Sequence, residues 1–189
     1  MGAEEECCNK INRARGHRAV GKVGHSDMCR ASRCPVFSRY YVESMAHTYT
    51  SNLIHCVFST KDRSNLIREP ERMWQYLLGV ARGKGMATLA VGGTKNHVHA
   101  LIVLPPTVAL AKAVQELKGN SSKWMNDIGG GFRWQRGYGA FSISESGKDA
   151  VVAYVSGQAE HHRKWTFEQE YVTLLRKYKL EYDPRYVFD

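Results

Sequence analysis

Two histidines separated by a single residue, His97 and His99, are the pair whose type and spacing most directly suggest chemistry. They lie in an apolar run, residues 97–104, that has the length and composition of a β-strand. Successive side chains of a strand alternate between its two faces, so both imidazoles point to the same side. A neutral imidazole offers one ring nitrogen to a divalent metal ion, and a strand fixes the separation of two rings. The pair predicts a metal platform, although two surface histidines on an amphipathic strand would show the same spacing.

Tyr154 and Gln158 form a second pair, four residues apart in a stretch predicted to be helical. Residues at this spacing share one face of a helix. The neighbouring stripe is apolar and contains Val151, Val155 and Ala159. Taken alone, the pair also fits a tyrosine that packs against the core and a glutamine that faces solvent. Its relevance to catalysis therefore depends on the histidine strand.

Hydrophobic patterning predicts the elements that must position these side chains. Residues 51–59, 86–91 and 97–104 are predicted to be strands, with Gly92 and Gly93 in a five-residue turn before the histidine strand. A first helix begins at Pro70, a residue that suits the first turn of a helix, and ends near residue 85.

The second half of the chain is predicted to contain further helices and two short strands. Thr107 can cap a second helix, and residues 132–135 and 139–144 have the composition of strands. A capping-box spacing at residues 146–149 begins a third helix, which carries Tyr154 and Gln158 and runs to residue 160. A capping box at residues 166–169 begins a fourth helix, whose predicted role is packing.

The order strand, helix, strand, strand, helix, strand is that of a ferredoxin-like sandwich. We therefore predict an α+β fold in which an antiparallel sheet carries helices on one face. A C-terminal helix that bears Tyr154 follows this unit. Such a fold would place the histidine strand inside the sheet, where its position is well defined.

The composition fits one globular domain with a polyanionic partner. The 189-residue chain is 43% hydrophobic, which is enough for one sizeable core. Its 27 Lys and Arg outnumber 18 Asp and Glu, and the net charge of +9 favours a nucleic acid as partner. No apolar run approaches the ~18 residues of a membrane helix, and Glu4, Glu5 and Glu6 stand where a secretory signal would be basic. We expect a cytoplasmic protein that does not associate with membranes.

The first 44 residues differ in pattern from the rest. They hold eight Lys or Arg and four of the five cysteines but show no apolar periodicity. We predict that residues 1–44 are a disordered extension, or upstream sequence read through from a misplaced start, and that residues 45–189 form the domain. A zinc site is an alternative for this segment, although the spacing matches no paired Cys-x-x-Cys pattern. Its ligands would come from Cys7, Cys8, Cys29 and Cys34, with His17 and His25.

Four motifs in a fixed order give the chain a resemblance to a known family. They are residues 55–63, 96–99, 134–142 and 154–162. Together they resemble the single-tyrosine transposases of the HUH nuclease class, the small insertion-sequence and REP-associated tyrosine transposases. HUH denotes two histidines that flank a hydrophobic residue. The resemblance covers about residues 45–179 and does not include the first 44. A histidine-triad nucleotide hydrolase fits less well, because its third alternating histidine would fall on Leu101.

The resemblance implies a DNA transposase that cuts and rejoins single-stranded DNA at hairpin-marked ends. His97, His99 and the side-chain oxygen of Gln158 would hold Mg²⁺ or Mn²⁺. Tyr154 would attack the scissile phosphorus in a metal-dependent transesterification and form a 5′-phosphotyrosine intermediate. The family also implies a homodimer. A flexible connection at residues 142–147 could let each site combine histidines from one subunit with Tyr154 from the other.

Basic and aromatic side chains are candidates for contacts with the DNA strand. Trp124, Trp134 and Tyr138 could stack on unpaired bases, but aromatic residues near strands more often pack in a core. A non-catalytic ferredoxin-like nucleic-acid-binding protein is the alternative function, because it would need the same charge without the metal and tyrosine groups. Phosphates could be neutralised by seven residues, namely Lys95, Lys112, Lys118, Lys123, Arg133, Arg136 and Arg163.

Overall fold

The computed structural model describes residues 49–188, which contain four strands and five α-helices. The predicted extension over residues 1–44, with its candidate zinc ligands, lies outside the described residues. Two short 3₁₀ turns at Lys61–Arg63 and Glu145–Gly147 complete the fold. The strands are β1 (Leu53–Ser59), β2 (Ala87–Thr94), β3 (His97–Val103) and β4 (Gly139–Ile143). The helices are α1 (Pro70–Gly83), α2 (Leu110–Gly129), α3 (Lys148–Ser156), α4 (Gln158–His161) and α5 (Phe167–Lys177).

The four strands form one sheet in the order β2-β3-β1-β4, and every neighbouring pair is antiparallel. With α1 between β1 and β2 and α2 between β3 and β4, this is the arrangement of a ferredoxin-like fold. The predicted fold class is therefore confirmed. The histidine strand β3 is an interior strand, paired with β1 on one side and β2 on the other.

The helices of the ferredoxin-like unit, α1 and α2, cover one face of the sheet as predicted, and the C-terminal helices cover the other. Alternate residues of β3, namely Val98, Ala100 and Ile102, belong to a core cluster that includes the buried apolar residues of α1 and α2. The opposite face packs against the C-terminal helices, since Leu101 of β3 contacts Val155 of α3 in a second cluster. The two-residue period of the strand therefore directs His97 and His99 toward the C-terminal helices and buries both completely.

The turn before the histidine strand is shorter than predicted. Gly92 and Gly93 lie inside β2, not in a five-residue turn, and only Lys95 and Asn96 connect the two strands. Gly92 pairs with His99 in the sheet, and a Cβ added to Gly92 would lie 2.1 Å from the carbonyl oxygen of Val155. The glycine is needed for the close approach of α3 to the sheet. The dipeptide therefore marks helix packing and not a turn.

We expect Gly92→Ala to lower the free energy of unfolding by about 1–3 kcal/mol, because α3 must move away from β2 to admit the methyl group. Urea denaturation followed by circular dichroism measures the change. Gly79→Ala is the matched control, since an added Cβ there meets no atom within 4 Å and Ala is favoured over Gly in a helix. Equal denaturation midpoints for Gly92→Ala and the unaltered protein would contradict this account of the glycine.

Three other predicted boundaries differ from the structure. Thr107 does not cap α2, which begins at Leu110 after a turn closed by a hydrogen bond from Val108 N to Pro105 O. Residues 132–135 form no strand; they contribute one isolated bridge, between Trp134 and Thr60. The third predicted helix is divided into α3 and α4 at Gly157, and Ser144 caps the preceding 3₁₀ turn in place of a capping box at residues 146–149.

The predicted capping box at residues 166–169 is confirmed. Thr166 accepts from Gln169 N while the Gln169 side chain accepts from Thr166 N, and these two hydrogen bonds begin α5. Among residues 49–188, none of the helices combines the length and the apolar character required to traverse a bilayer.

Candidate functional site

The two histidines of β3 are held in place by polar partners on the neighbouring residues. Nδ1 of His97 lies 2.7 Å from Oδ1 of Asn96 and 3.0 Å from Oγ1 of Thr94. Because the amide oxygen of Asn96 only accepts, this network assigns the proton of His97 to Nδ1 and leaves Nε2 free to act as a ligand. His55 of β1 supports the second ring, with its Nε2 2.9 Å from Nδ1 of His99.

Tyr154 and Gln158 reach the same region from α3 and α4. Oε1 of Gln158 lies 3.4 Å from Nε2 of His97, and the glutamine is buried. The ring of Tyr154 stands edge-on to the ring of His99, with the centroids 5.8 Å apart. The structure therefore brings together all four of the residues predicted from the HUH and tyrosine motifs. All four residues come from one chain.

Glu170 of α5 lies at the centre of the group. Its buried carboxylate accepts hydrogen bonds from the hydroxyl of Tyr154 and, at 2.9 Å, from Nε2 of Gln158, both on Oε1. The other oxygen, Oε2, lies 3.1 Å from Nε2 of His99 and 3.1 Å from Nε2 of His162. One carboxylate oxygen thus faces the tyrosine and the other faces the histidines.

The electrostatics of the group follow from burial and from this carboxylate. Burial, followed by the neighbouring His99, lowers the pKa of His55 and of His97 to about 3, so both rings are neutral near pH 7. Burial opposes ionisation of Glu170, but the hydrogen bonds from His162 and His99 outweigh it and hold the pKa of Glu170 below its usual range. Burial and the hydrogen bond to Glu170 raise the pKa of Tyr154, so the phenol is protonated.

Four side chains at this place have the donor atoms of a metal site. One ligand atom from each of His97, His99, His162 and Glu170 can be chosen so that all lie within 4.8 Å of one another. Nε2 of His161 is also buried there, with no hydrogen-bond partner among the described residues and 3.4 Å from Oε1 of Glu170. Imidazole nitrogens and carboxylate oxygens are ligands that divalent transition metals accept, so the donor set fits such an ion.

Sequence reasoning missed Glu170 and His162 and predicted only packing for α5. A signal was present, because Glu170 follows Phe167 by three residues and precedes Leu174 by four, which places an acid on the apolar stripe of the helix. A buried acid on an apolar face needs partners, and therefore points to a polar site under the helix. The adjacent pair His161 and His162 was a second indication.

The seven basic residues predicted to contact phosphate have varied surroundings. Lys95 is exposed in the turn that precedes β3, and of the seven residues it is the nearest in sequence to His97. Lys118 is partly buried, and its ammonium group donates to the carbonyl oxygens of Gln135 and Gly137. Two of the seven form ion pairs on their own helix or turn, Lys112 with Glu116 and Arg163 with Glu160. The remaining three, Lys123, Arg133 and Arg136, are exposed.

Two of the three aromatic residues predicted to stack on bases are packed within the protein. Trp124 stacks on Tyr76 with ring centroids 4.6 Å apart. Trp134 packs edge-on against Phe58, and its indole nitrogen donates to Ser121. Tyr138 is 38% exposed and stays available to a ligand. Trp165, which the sequence reasoning did not consider, is more exposed still, at 45%.

Comparisons with solved structures identify proteins of similar fold. A proposed transposase from Deinococcus radiodurans R1 aligns with a TM-score of 0.50 at 20% identity, over 62% of this chain and 98% of that one. A REP-associated tyrosine transposase bound to a REP hairpin aligns with a TM-score of 0.49 at 16% identity, over 66% of this chain and 76% of that one. No curated protein matches the sequence.

The family assignment comes from the sequence itself. Residues 48–158 match the profile of the IS200-like transposases. The match covers more than half of the 189 residues and includes β1 to β4, both histidines of β3, Tyr154 and Gln158. The chain therefore belongs to the IS200-like transposase family.

Proposed function

We propose that the chain cuts and rejoins single-stranded DNA at hairpin-marked ends, with Tyr154 as nucleophile. The observation that carries this proposal is the meeting of the Tyr154 hydroxyl and the His97 and His99 imidazoles on the carboxylate of Glu170. A nucleophile, a metal-binding donor set and a proton acceptor are what phosphodiester transesterification requires. The alternative, a non-catalytic nucleic-acid-binding protein, would have no use for this combination.

The proposed metal ligands are His97, His99 and Glu170, with His162 and the side-chain oxygen of Gln158 within reach. When bound, Mg²⁺ or Mn²⁺ would act as a Lewis acid toward the phosphodiester and stabilise charge that develops on its oxygens. The contacts of Nδ1 on His97 and His99 prepare the two rings for metal binding, since they orient each ring with Nε2 toward Glu170.

The chemical step follows from the two sides of the Glu170 carboxylate. The hydroxyl oxygen of Tyr154 attacks phosphorus while Oε1 of Glu170, which accepts a hydrogen bond from the phenol, takes its proton. The site by itself keeps the pKa of Glu170 low and that of Tyr154 high, so this transfer depends on the metal ion, whose positive charge would stabilise the phenolate. The new bond joins Tyr154 to the 5′ phosphate, and the broken bond between phosphorus and the 3′ oxygen leaves a 3′ alkoxide. The proton taken up by Glu170 passes to this oxygen through solvent and gives the 3′ hydroxyl. Attack of another 3′ hydroxyl on the phosphotyrosine reverses the step and joins strands without ATP.

The test is a cleavage assay at physiological salt concentration and near-neutral pH. Substrates are single-stranded hairpin oligonucleotides copied from imperfect palindromes in the DNA that flanks the gene, and the matching blunt duplex is the control. We expect a covalent protein–DNA species on a denaturing gel with the hairpin and little with the duplex. Binding of the hairpin without any cleavage under all metal conditions would favour the non-catalytic alternative.

We expect cleavage to require a divalent metal and to reach half of its maximum at a lower concentration of Mn²⁺ than of Mg²⁺. Imidazole nitrogen is a better ligand for Mn²⁺, whereas Mg²⁺ prefers oxygen and retains water. Titration of each metal into protein freed of metal by EDTA measures the difference. Undiminished cleavage in excess EDTA would contradict the metal role, and a preference for Mg²⁺ would contradict the histidine-rich ligand set.

The assembly proposed from the family resemblance is a homodimer, and we propose that each subunit holds a complete site. Tyr154 donates to Glu170 of its own chain, which removes the need for an exchange of α3 between subunits. We expect a mixture of His97→Ala/His99→Ala protein with Tyr154→Phe protein to stay inactive after subunit exchange. Differently tagged subunits confirm that heterodimers form. Recovery of cleavage in confirmed heterodimers would show that sites are shared between subunits.

A further inference from the structure

A cavity of about 380 Å³ lies between α3 and α5, beside the proposed nucleophile. Tyr154 and Glu170 both line it, and so does Trp165, which precedes α5. Glu170 is 3% exposed and Trp165 is 45% exposed, so the cavity extends from the buried site to the surface. Its volume falls in the range of ~300–1,000 Å³ that is typical of pockets for small organic ligands.

The walls of this cavity suit a nucleobase. One part is apolar, with Ala150 and Val151 from α3 and Leu174 from α5. Another part is aromatic, since the rings of His161 and Trp165 are nearly parallel, with an interplanar angle of 11° and centroids 5.9 Å apart. Flat aromatic and apolar surfaces of this kind bind unpaired bases through stacking, whatever the base.

A positive charge stands at the same cavity. Lys177, on the last turn of α5, lines it and is exposed. Within residues 49–188 Lys177 forms no ion pair; its ammonium group lies 6.0 Å from the centroid of the Tyr178 ring. A lysine without an acidic partner beside an apolar and aromatic pocket matches the phosphate and base of one nucleotide.

We propose that this cavity is a subsite for one unpaired nucleotide next to the scissile phosphate, with its base against His161 and Trp165 and its phosphate near Lys177. The proposal rests on the proposed function, because a strand that presents a phosphate to Tyr154 must place an adjoining nucleotide in or beside this cavity. The hydroxyl of Thr173, on the α5 wall, donates to the Gln169 carbonyl. The walls that would contact the base are mainly apolar and aromatic, so the subsite recognises the presence of a base more than its identity.

The test is a double-mutant cycle in which one change is made in the protein and the other is the removal of one base from the DNA. The cleavage position is first mapped with the full-length protein, and an abasic residue is then placed on either side of it. Dissociation constants are measured by fluorescence anisotropy, and adduct formation is measured in single turnovers. We expect the abasic residue at one of the two positions to weaken binding by the unaltered protein about 5- to 100-fold, the range for loss of one stacked base.

The expected signature is non-additivity between the protein and the DNA changes. Trp165→Ala should weaken binding of intact DNA to a similar degree and show little further loss with the abasic strand, whereas Trp165→Phe should retain most of the affinity. Trp165 is half-exposed, so its replacement should leave the fold intact. Lys177→Ala should reduce the slope of log affinity against log salt by about one. Arg176→Ala is the matched control, because Arg176 lies on the same helix but not at the cavity. Its ratio of affinities for abasic and intact DNA should equal that of the unaltered protein.

Two results would overturn the subsite, and they are distinguishable from failure of the proposed function. One result is that the unaltered protein forms the adduct, but an abasic residue at either position weakens binding by the unaltered protein and by Trp165→Ala to the same degree. In that case the subsite is wrong and the proposed function stands. If the unaltered protein forms no adduct with any hairpin strand, the proposed function fails and the subsite fails with it.

Discussion

Tyr154→Phe should abolish the covalent adduct and lower the rate of cleavage by at least about 10³-fold, because it removes the proposed nucleophilic oxygen and keeps the ring. The phenyl ring can still stand edge-on to His99 as the tyrosine ring does. The lost hydrogen bond is one of four that Glu170 accepts, so the fold should lose only about 1 kcal/mol. Single-turnover assays on a labelled hairpin measure the rate.

Two controls separate loss of the nucleophile from loss of the site. Tyr154→Phe should still bind the hairpin with little change, since most of the affinity comes from phosphate contacts. Tyr138→Phe alters a tyrosine that is 38% exposed and should leave the adduct intact. An adduct that persists in Tyr154→Phe and disappears in Tyr138→Phe would transfer the nucleophilic role to Tyr138.

Glu170→Gln should lower metal affinity by at least about 10- to 100-fold and reduce cleavage in parallel, because it removes the one negative charge within the proposed donor set. It also replaces the proposed acceptor of the Tyr154 proton with an amide. Isothermal titration with Mn²⁺ measures the affinity directly and does not depend on cleavage. High Mn²⁺ concentrations should restore occupancy but not the full rate, since the proton acceptor is still absent.

Glu168→Gln is the matched control for Glu170→Gln. It removes the same charge from the same helix, but Glu168 is partly exposed and pairs with Arg63, 2.9 Å away. The control should bind metal and cleave DNA as the unaltered protein does. If Glu170→Gln bound Mn²⁺ as tightly as Glu168→Gln, Glu170 would not be a metal ligand.

Glu170 shows why the sequence predicted only part of the site. His97, His99, Tyr154 and Gln158 could be found because a two-residue strand period and a four-residue helix period place each pair on one face. No local period connects α5 with β3, since Glu170 and His99 are 71 residues apart in the chain. Their meeting depends on how the C-terminal helices pack across the second face of the sheet. The identity of Glu170 as a buried acid was visible, but its partners were not.

Gly92 and Gly157 show the same limit for the fold. The order of strands and helices follows from hydrophobic patterning, and it was sufficient to predict the ferredoxin-like arrangement. The reason for Gly92 lies in another element, because only the approach of Val155 explains a residue without a Cβ within β2. At Gly157 the chain ends α3 and begins α4 where a continuous helix was predicted. This break accompanies the placement of Tyr154 and Gln158 on either side of it, both directed at Glu170.

The central claim is that Tyr154 becomes linked to the DNA strand, and peptide mapping of the covalent adduct tests it most directly. Trypsin should release residues 149–163, which contain Tyr154 and no internal Lys or Arg. After reaction with a hairpin strand and nuclease digestion, mass spectrometry should find this peptide with a nucleotide joined through a 5′ phosphate to Tyr154. An unmodified 149–163 peptide, together with DNA products that carry free 5′ phosphates, would show hydrolysis by water and contradict the account.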